Sequence, residues 1–386
     1  MTSPAQRLRI LHITRNLPPL VGGMERLNWH IADELSRHAE VRVISPTGAA
    51  AKGPEGVRLA EVPLRPLWRF LIASMLRAIH TALRWRPDIV LAGSGLTAPA
   101  ARVVARISGA RACVYLHGLD AAATHPVYRR LWLPAIRRMD VVIANSQPTA
   151  VLAHEIGVAP EKIRIVHPGV QLPTAPQSAA TLEAFRRRHG LGDARILLSV
   201  GRLTTRKGLR EFVQQGLPAI VREAPDTVLA VVGDAPVDSL LAGVQTRDSI
   251  RAAADAAGIG DHLRFLGVIT DPVELACVYE SAALHVFPVR QIVGDPEGFG
   301  MVAIEAAAHG LPTVAFATGG VVDAVCDWQS GLLIAPDDYS ALAQAALWVL
   351  SDTPGAWQER CQEFAARFAW PAFGQRLVSA LTNEAS

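Results

Sequence analysis

Arg195-Ile-Leu-Leu-Ser-Val-Gly201-Arg-Leu-Thr-Thr-Arg-Lys207-Gly208 reads as a buried strand, a basic loop and the entry to a helix. The first part is short, apolar and closed by a glycine, which marks a strand covered on both faces. The run from Leu209 to Val221 then takes up helical periodicity. The same alternation recurs along the chain, with strands expected at 8–13, 41–45, 89–92, 112–116, 141–144, 196–200, 227–232, 285–287 and 313–316. Strands alternating with helices predict an α/β fold with parallel sheets. At 386 residues, half of them hydrophobic, the chain exceeds one ordinary core and predicts two domains.

The basic loop is an anion site in outline. Arg202 can fork onto a phosphate and Lys207 can supply a point charge. Downstream, Glu297-Gly-Phe-Gly-Met-Val-Ala-Ile-Glu305 sets two carboxylates around a glycine-rich turn. Backbone N–H groups near Gly298 and Gly300 can meet negative charge at a helix start. With residues 299–305 helical, at ~1.5 Å per residue, the two acids sit roughly 10 Å apart. That spacing suits a ligand anionic in its middle and hydroxylated at both ends. A solvated loop-to-helix junction would carry the same residues, so the upstream loop supplies the context.

Val200-Gly-Arg-Leu with Arg206-Lys-Gly-Leu resembles the donor-phosphate loop of the family 4 retaining glycosyltransferases, and Glu297 to Glu305 resembles their E-x7-E element. Pro19-Leu-Val-Gly22-Gly23-Met-Glu25 is similar to their N-terminal glycine loop, and His117-Gly118-Leu-Asp120 to their active-site histidine motif. Ala144-Asn145-Ser146, His167-Pro168-Gly169-Val170 and Gly331-Leu-Leu-Ile follow in the family's order. The resemblance covers nearly the whole chain. It implies the GT-B fold, two Rossmann-like domains facing a central cleft. Residues 1–170, with a returning helix at 366–386, would form the acceptor-side domain, and 171–365 the nucleotide-sugar donor domain.

The resemblance also distributes roles. Arg202 and Lys207 would stabilise the departing diphosphate with the backbone of Phe299, Gly300, Met301 and Val302. Glu305 would take the ribose hydroxyls and Glu297 those of the transferred sugar. His117 would help position the donor sugar, and Val268 would contact the base. Gly22 and Gly23, lacking Cβ, would let the backbone approach phosphate or acceptor; Asp120 reads equally well as the cap of a turn. Retention is implied, by same-face attack rather than through a carboxylate nucleophile. The donor stays open between GDP-mannose and a UDP-hexose, with Gly-Asp-Pro-Glu-Gly-Phe-Gly leaning towards mannose. The acceptor is a saccharide or glycolipid of unread identity.

Residues 1–170 hold 22 Lys and Arg against 11 Asp and Glu, whereas 171–386 hold 16 against 24. Positive charge gathers with Trp, Leu and Ile in 67–86 and 128–138, which suits either packed helices with water-reaching arginines or an anionic membrane surface. No apolar run approaches the ~20 residues of a span. The N-terminus lacks the features of a secretory signal, and four scattered cysteines read as reduced core residues, so the expected location is cytoplasmic, at most peripheral to the inner membrane face. No cofactor is expected, and no metal, since the sequence holds no Asp-x-Asp. No nucleic-acid platform stands out. The remaining alternatives are a nucleotide-sugar epimerase of related two-domain fold and a non-catalytic nucleotide-sugar-binding scaffold.

Overall fold

The computed structural model describes residues 7–236, 243–353 and 355–382. The first six residues, within the stretch read as lacking a secretory signal, and the last four of the expected returning segment lie outside the described residues. The chain forms two compact units. One runs to Gly169 and is taken up again at Trp370; the other is Val170–Ala369.

The first unit is built on seven parallel strands: β1 (Arg9–Ile13), β2 (Glu40–Pro46), β3 (Arg58–Val62), β4 (Ile89–Ala92), β5 (Arg111–Leu116), β6 (Val141–Ala144) and β7 (Ile163–Ile165). Their order is β3-β2-β1-β4-β5-β6-β7. The second unit has six: β8 (Arg195–Val200), β9 (Thr227–Val232), β10 (Leu263–Gly267), β11 (Leu284–Phe287), β12 (Thr313–Phe316) and β13 (Gly331–Ile334). They are again all parallel, in the order β10-β9-β8-β11-β12-β13. Each sheet therefore reverses its winding once, between β1 and β4 and between β8 and β11. Open sheets of this kind bind ligands beyond the carboxyl ends of the strands at such switch points.

Nine strands were expected from apolar runs, and all nine form in the sheet interiors. The four that were not separated, β3, β7, β10 and β13, are the four sheet edges. Edge strands are less fully covered, so all four carry half-exposed positions, and β3 and β7 exposed ones as well. Two helical expectations need correction. The run 209–221 is two helices, Leu209–Gln215 and Leu217–Glu223, broken where Gly216 meets the Pro218 of the next first turn. The helix expected from residue 299 begins at Met301 and ends at Ala308.

The first unit's helix Gly23–His38 buries Leu27, Ile31, Ala32 and Leu35 on one stripe, with Glu25 in its first turn and Arg37 and His38 in its last, as the helix dipole favours. The returning helix is Trp370–Thr382. It packs on Gly23–His38, where the Trp370 indole stacks on His30 at 3.7 Å between ring centroids and 12° between planes.

Candidate active site

The loops at the second unit's switch point carry most of the chemistry. β8 ends at Val200, and the loop after it turns through a short 3-10 segment, Thr205–Lys207. Beyond β11, the loop holding Asp295 and Glu297 returns against it. Lys207 Nζ lies 2.8 Å from Glu297 Oε2 and over the Phe287 ring. Arg206 Nε lies 3.2 Å from the same Glu297 oxygen, and its Nη1 pairs with Asp295 and donates to the Pro296 carbonyl. The loops are tied through the backbone as well, Arg290 N donating to Arg206 O at 2.8 Å. Basic and acidic segments about 90 residues apart in sequence thus form one cluster.

The electrostatics of this cluster are unequal. Glu297 has only a tenth of its side chain exposed. Burial alone would raise its pKa, but the charges of Lys207 and Arg206 and the Lys207 hydrogen bond outweigh it and hold the acid at about 2. Lys207 is itself pushed below its usual range, by burial first and then by Arg206 and Arg202, against the pull of Glu297. Within the ion-paired cluster two cations balance two carboxylates, and exposed Arg202 nearby adds the positive charge that an incoming anion would meet.

The acid loop is held from below by Gly319 and Gly320. Gly320 N donates to Glu297 O at 2.8 Å, and a Cβ on Gly320 would fall 2.1 Å from Gly298 O. No side chain fits there, so the tight turn after β12 depends on glycine. Gly300 takes φ 95°, the left-handed conformation, and delivers the chain into helix Met301–Ala308. Phe299 turns its ring into the core beside Phe368, leaving backbone rather than ring at the helix entrance. Along that helix, half-buried Glu305 accepts a hydrogen bond from Tyr279 Oη at 2.9 Å.

The other assigned residues are distributed as follows. Arg202 is exposed, close enough to depress Lys207 but outside the ion-paired cluster. Val268 stands exposed just past β10, and Met301 and Val302 are half-buried. In the first unit, His117 follows β5 and is largely buried; its Nε2 lies 2.8 Å from Gly93 O. A carbonyl can only accept, so Nε2 carries the proton and Nδ1 is the nitrogen left to meet a ligand. Asp120 accepts from His117 N at 3.0 Å, which makes it the holder of this turn. Beneath Gly93 lies the buried pair His12–Asn28, 3.1 Å apart, with the His12 pKa lowered to about 4, chiefly by burial. Gly22 immediately precedes helix Gly23–His38, where Glu25 sets its own carboxylate beside the glycine and accepts from Asn16 Nδ2 at 2.6 Å. The anion position expected at that helix start thus already has an acid next to it.

Among the described residues, no three His, Cys, Asp or Glu side chains converge as metal ligands, and no helix is long and apolar enough to cross a membrane. Sequence reasoning missed Arg206, Tyr279 and the Gly319-Gly320 pair. Arg206 stands beside Lys207 in the same loop, and Gly319-Gly320 follows a strand as Gly22-Gly23 does, so both carried a usable signal. Tyr279 carried none, since its meeting with Glu305 is purely tertiary.

Comparison with known proteins bears on this arrangement. Residues 21–172 match the model described as Glycosyltransferase Family 4, and residues 182–368 that described as Glycosyl transferases group 1. The D-inositol 3-phosphate glycosyltransferase 1 of Catenulispora acidiphila is 32% identical over 391 residues, covering 92% of this chain and 89% of that protein. The chain belongs to the family 4 glycosyltransferases. A second relative of this glycosyltransferase, the Mycolicibacterium smegmatis GDP-mannose-dependent alpha-(1-6)-phosphatidylinositol monomannoside mannosyltransferase, is 29% identical over 357 residues, 89% of each chain. The Anabaena Alr3699/HepE structure in complex with UDP-glucose superposes with a TM-score of 0.79 at 19% identity, over 98% of this chain and 100% of that one. The glycosyltransferase therefore has the GT-B fold, and its reaction is glycosyl transfer from a nucleotide sugar.

Proposed function

We propose that the enzyme moves a hexosyl group, with mannosyl favoured, from a nucleoside-diphosphate sugar to a hydroxyl of a saccharide or lipid-linked acceptor, with retention and without a metal ion. The observation that carries this is the Arg206–Lys207–Glu297 cluster at the β8/β11 switch point. Departure of the nucleoside diphosphate builds negative charge on a phosphate oxygen, and fixed cations in a partly dry site are an effective way to stabilise it. Lys207, Arg206 and Arg202 supply that charge, with the N–H groups at the start of helix Met301–Ala308 beside them. In this reading the second unit, 171–365 in the sequence division, is the donor domain. Glu305 takes the ribose hydroxyls, Val268 the base and Glu297 the sugar hydroxyls, with His117 offering Nδ1 to the transferred sugar.

The state of Glu297 supports same-face attack in this reading. A carboxylate held near pKa 2, with Oε2 engaged by both Lys207 and Arg206, is a weak base and correspondingly a weakened nucleophile. The acceptor hydroxyl instead attacks on the face the diphosphate leaves, passing its proton to the departing phosphate oxygen. The mannosyl preference draws on the named donor of the Mycolicibacterium relative; the UDP-glucose complex of the Anabaena protein keeps a UDP-hexose as the second candidate. The test is product analysis by proton NMR in the presence of EDTA, with GDP-mannose and UDP-glucose each offered as donor. An α-linked product formed at an undiminished rate is expected. Inversion, a covalent glycosyl adduct on Glu297, or loss of turnover on chelation would each break the proposal.

The first unit, 1–170 with the returning helix, is the acceptor side in this reading, working from the cytoplasmic face of an anionic membrane. Three neighbouring helices support that setting: Leu67–Trp85, Ala98–Ser108 and Pro126–Arg137. Together they carry eight arginines and no acid, and they expose Trp68, Ile72, Leu76, Leu83, Ile107 and Leu131. Such a surface suits shallow insertion among anionic headgroups. Sedimentation with phosphatidylglycerol vesicles at low salt, lost at high salt, is expected; equal recovery with neutral vesicles contradicts it.

A further inference from the structure

Helix Pro272–Glu280 ends in two residues that build a support behind Glu305. Tyr279 is 1% exposed, and its hydroxyl donates to Glu305 Oε2 at 2.9 Å. Its ring lies nearly parallel to that of His309, 12° between planes and 5.3 Å between centroids. His309 Nδ1 is in turn 2.9 Å from Glu280 Oε1, and the second Glu280 oxygen accepts from Gln177 N at 2.6 Å. The phenol is thus fixed by a stacked ring that is itself fixed by an acid held at both oxygens.

A glutamate that must take two neighbouring hydroxyls has to present its lone pairs in one orientation. Left to itself, the side chain turns about three bonds, and ordering it on ligand binding costs affinity. A buried phenol donating to one carboxylate oxygen sets the plane of the group beforehand. We propose that Tyr279 is a positioning residue for the nucleotide, orienting the Glu305 carboxylate for the ribose diol. The inference rests on the ribose role of Glu305 given above.

The test is calorimetric binding of GDP and UDP, and of their 2′-deoxy and 3′-deoxy forms, to the wild type, Tyr279→Phe and Glu305→Ala. Phenylalanine keeps the ring on His309, so the fold and melting temperature should hold. Tyr279→Phe is expected to weaken the ribonucleotides about tenfold, as loss of a hydrogen bond to a charged group does. It should weaken the deoxy forms much less, shrinking the discrimination between them. In turnover, the KM for the donor should rise while kcat stays within about twofold. A purely structural tyrosine would weaken ribo and deoxy forms alike or leave both unchanged, and either result overturns the proposal. If Glu305→Ala weakens the ribonucleotides and Tyr279→Phe does not, only the tyrosine's role falls. If Glu305→Ala binds them as the wild type does, the ribose role of Glu305 falls first and this inference with it.

Discussion

The first six strands of one unit are wound in the same order as the six of the other, yet the loops at the carboxyl edges of the two sheets differ in chemistry. In the second unit, the loops after β8 and β11 bring Arg206 and Lys207 onto Asp295 and Glu297 in a network of ion pairs, with exposed Arg202 close by. In the first, the loops after β4 and β5 meet through His117 and the Gly93 carbonyl, above the His12–Asn28 pair, without an ion pair between them among the described residues. One edge sets fixed cations against carboxylates, which in the proposed reading meet the charge that develops during reaction. The other is built on directional hydrogen bonds among His117, Gly93, His12 and Asn28. A shared topology thus carries two different sets of strand-end side chains, and it is these rather than the fold that decide what each edge can bind.

The largest effect should come from removing the charge on the donor side. Lys207→Ala is expected to cut kcat by about 10²–10³, the scale for loss of one group stabilising a developing oxyanion. Single-turnover kinetics with a matched circular dichroism spectrum checks it, and turnover within threefold of the wild type would remove the loop from the mechanism. The next effect is on stability. Glu297 titrates at about 2 in the folded enzyme against 4.5 for an ordinary glutamate, so the folded state favours its ionised form. The resulting stabilisation is fully present above pH 4.5 and fades as pH falls towards 2. It amounts to roughly 3 kcal/mol at about 1.4 kcal/mol per unit of pKa. Urea unfolding between pH 6 and 3 should show an acid-side loss in the wild type that is smaller in Glu297→Gln. Parallel pH dependences would mean that the carboxylate is not held by its cations.

How much of this was legible in the sequence follows from the same physics. Interior parallel strands are covered on both faces and announce themselves as apolar runs, so β1, β2, β4, β5, β6, β8, β9, β11 and β12 were readable. The edge strands were not, because Arg58–Val62 and Ile163–Ile165 leave positions open to solvent. At the donor side, the motif spacing marked Lys207, Glu297 and Glu305. It gave the leading arginine role to Arg202, whereas the structure puts Arg206 in the ion-paired cluster. A sequence lists both arginines in one loop; only the turn through Thr205–Lys207 decides which of them faces the acids. The Tyr279–Glu305 contact joins residues 26 apart in sequence on two different helices, a tertiary meeting that no local pattern announces.

The smallest effect, and the one that sharpens the contrast most, concerns His117. Its Nε2 is committed to Gly93 O, so a role towards ligand must run through Nδ1. The two amide residues separate these functions. Glutamine extends its amide to about where Nε2 lies, keeping the tie to Gly93 while vacating the Nδ1 position; asparagine reaches only as far as Nδ1. If His117 meets the sugar, His117→Gln should lose about tenfold in kcat/KM, the scale of one hydrogen bond to a neutral group, while keeping the wild-type melting temperature. His117→Asn should then retain more activity and lose stability. The reverse order, with Gln active and Asn inactive, would make the histidine a strut for the β4 loop. The first unit's edge would then have to recognise its ligand through other groups.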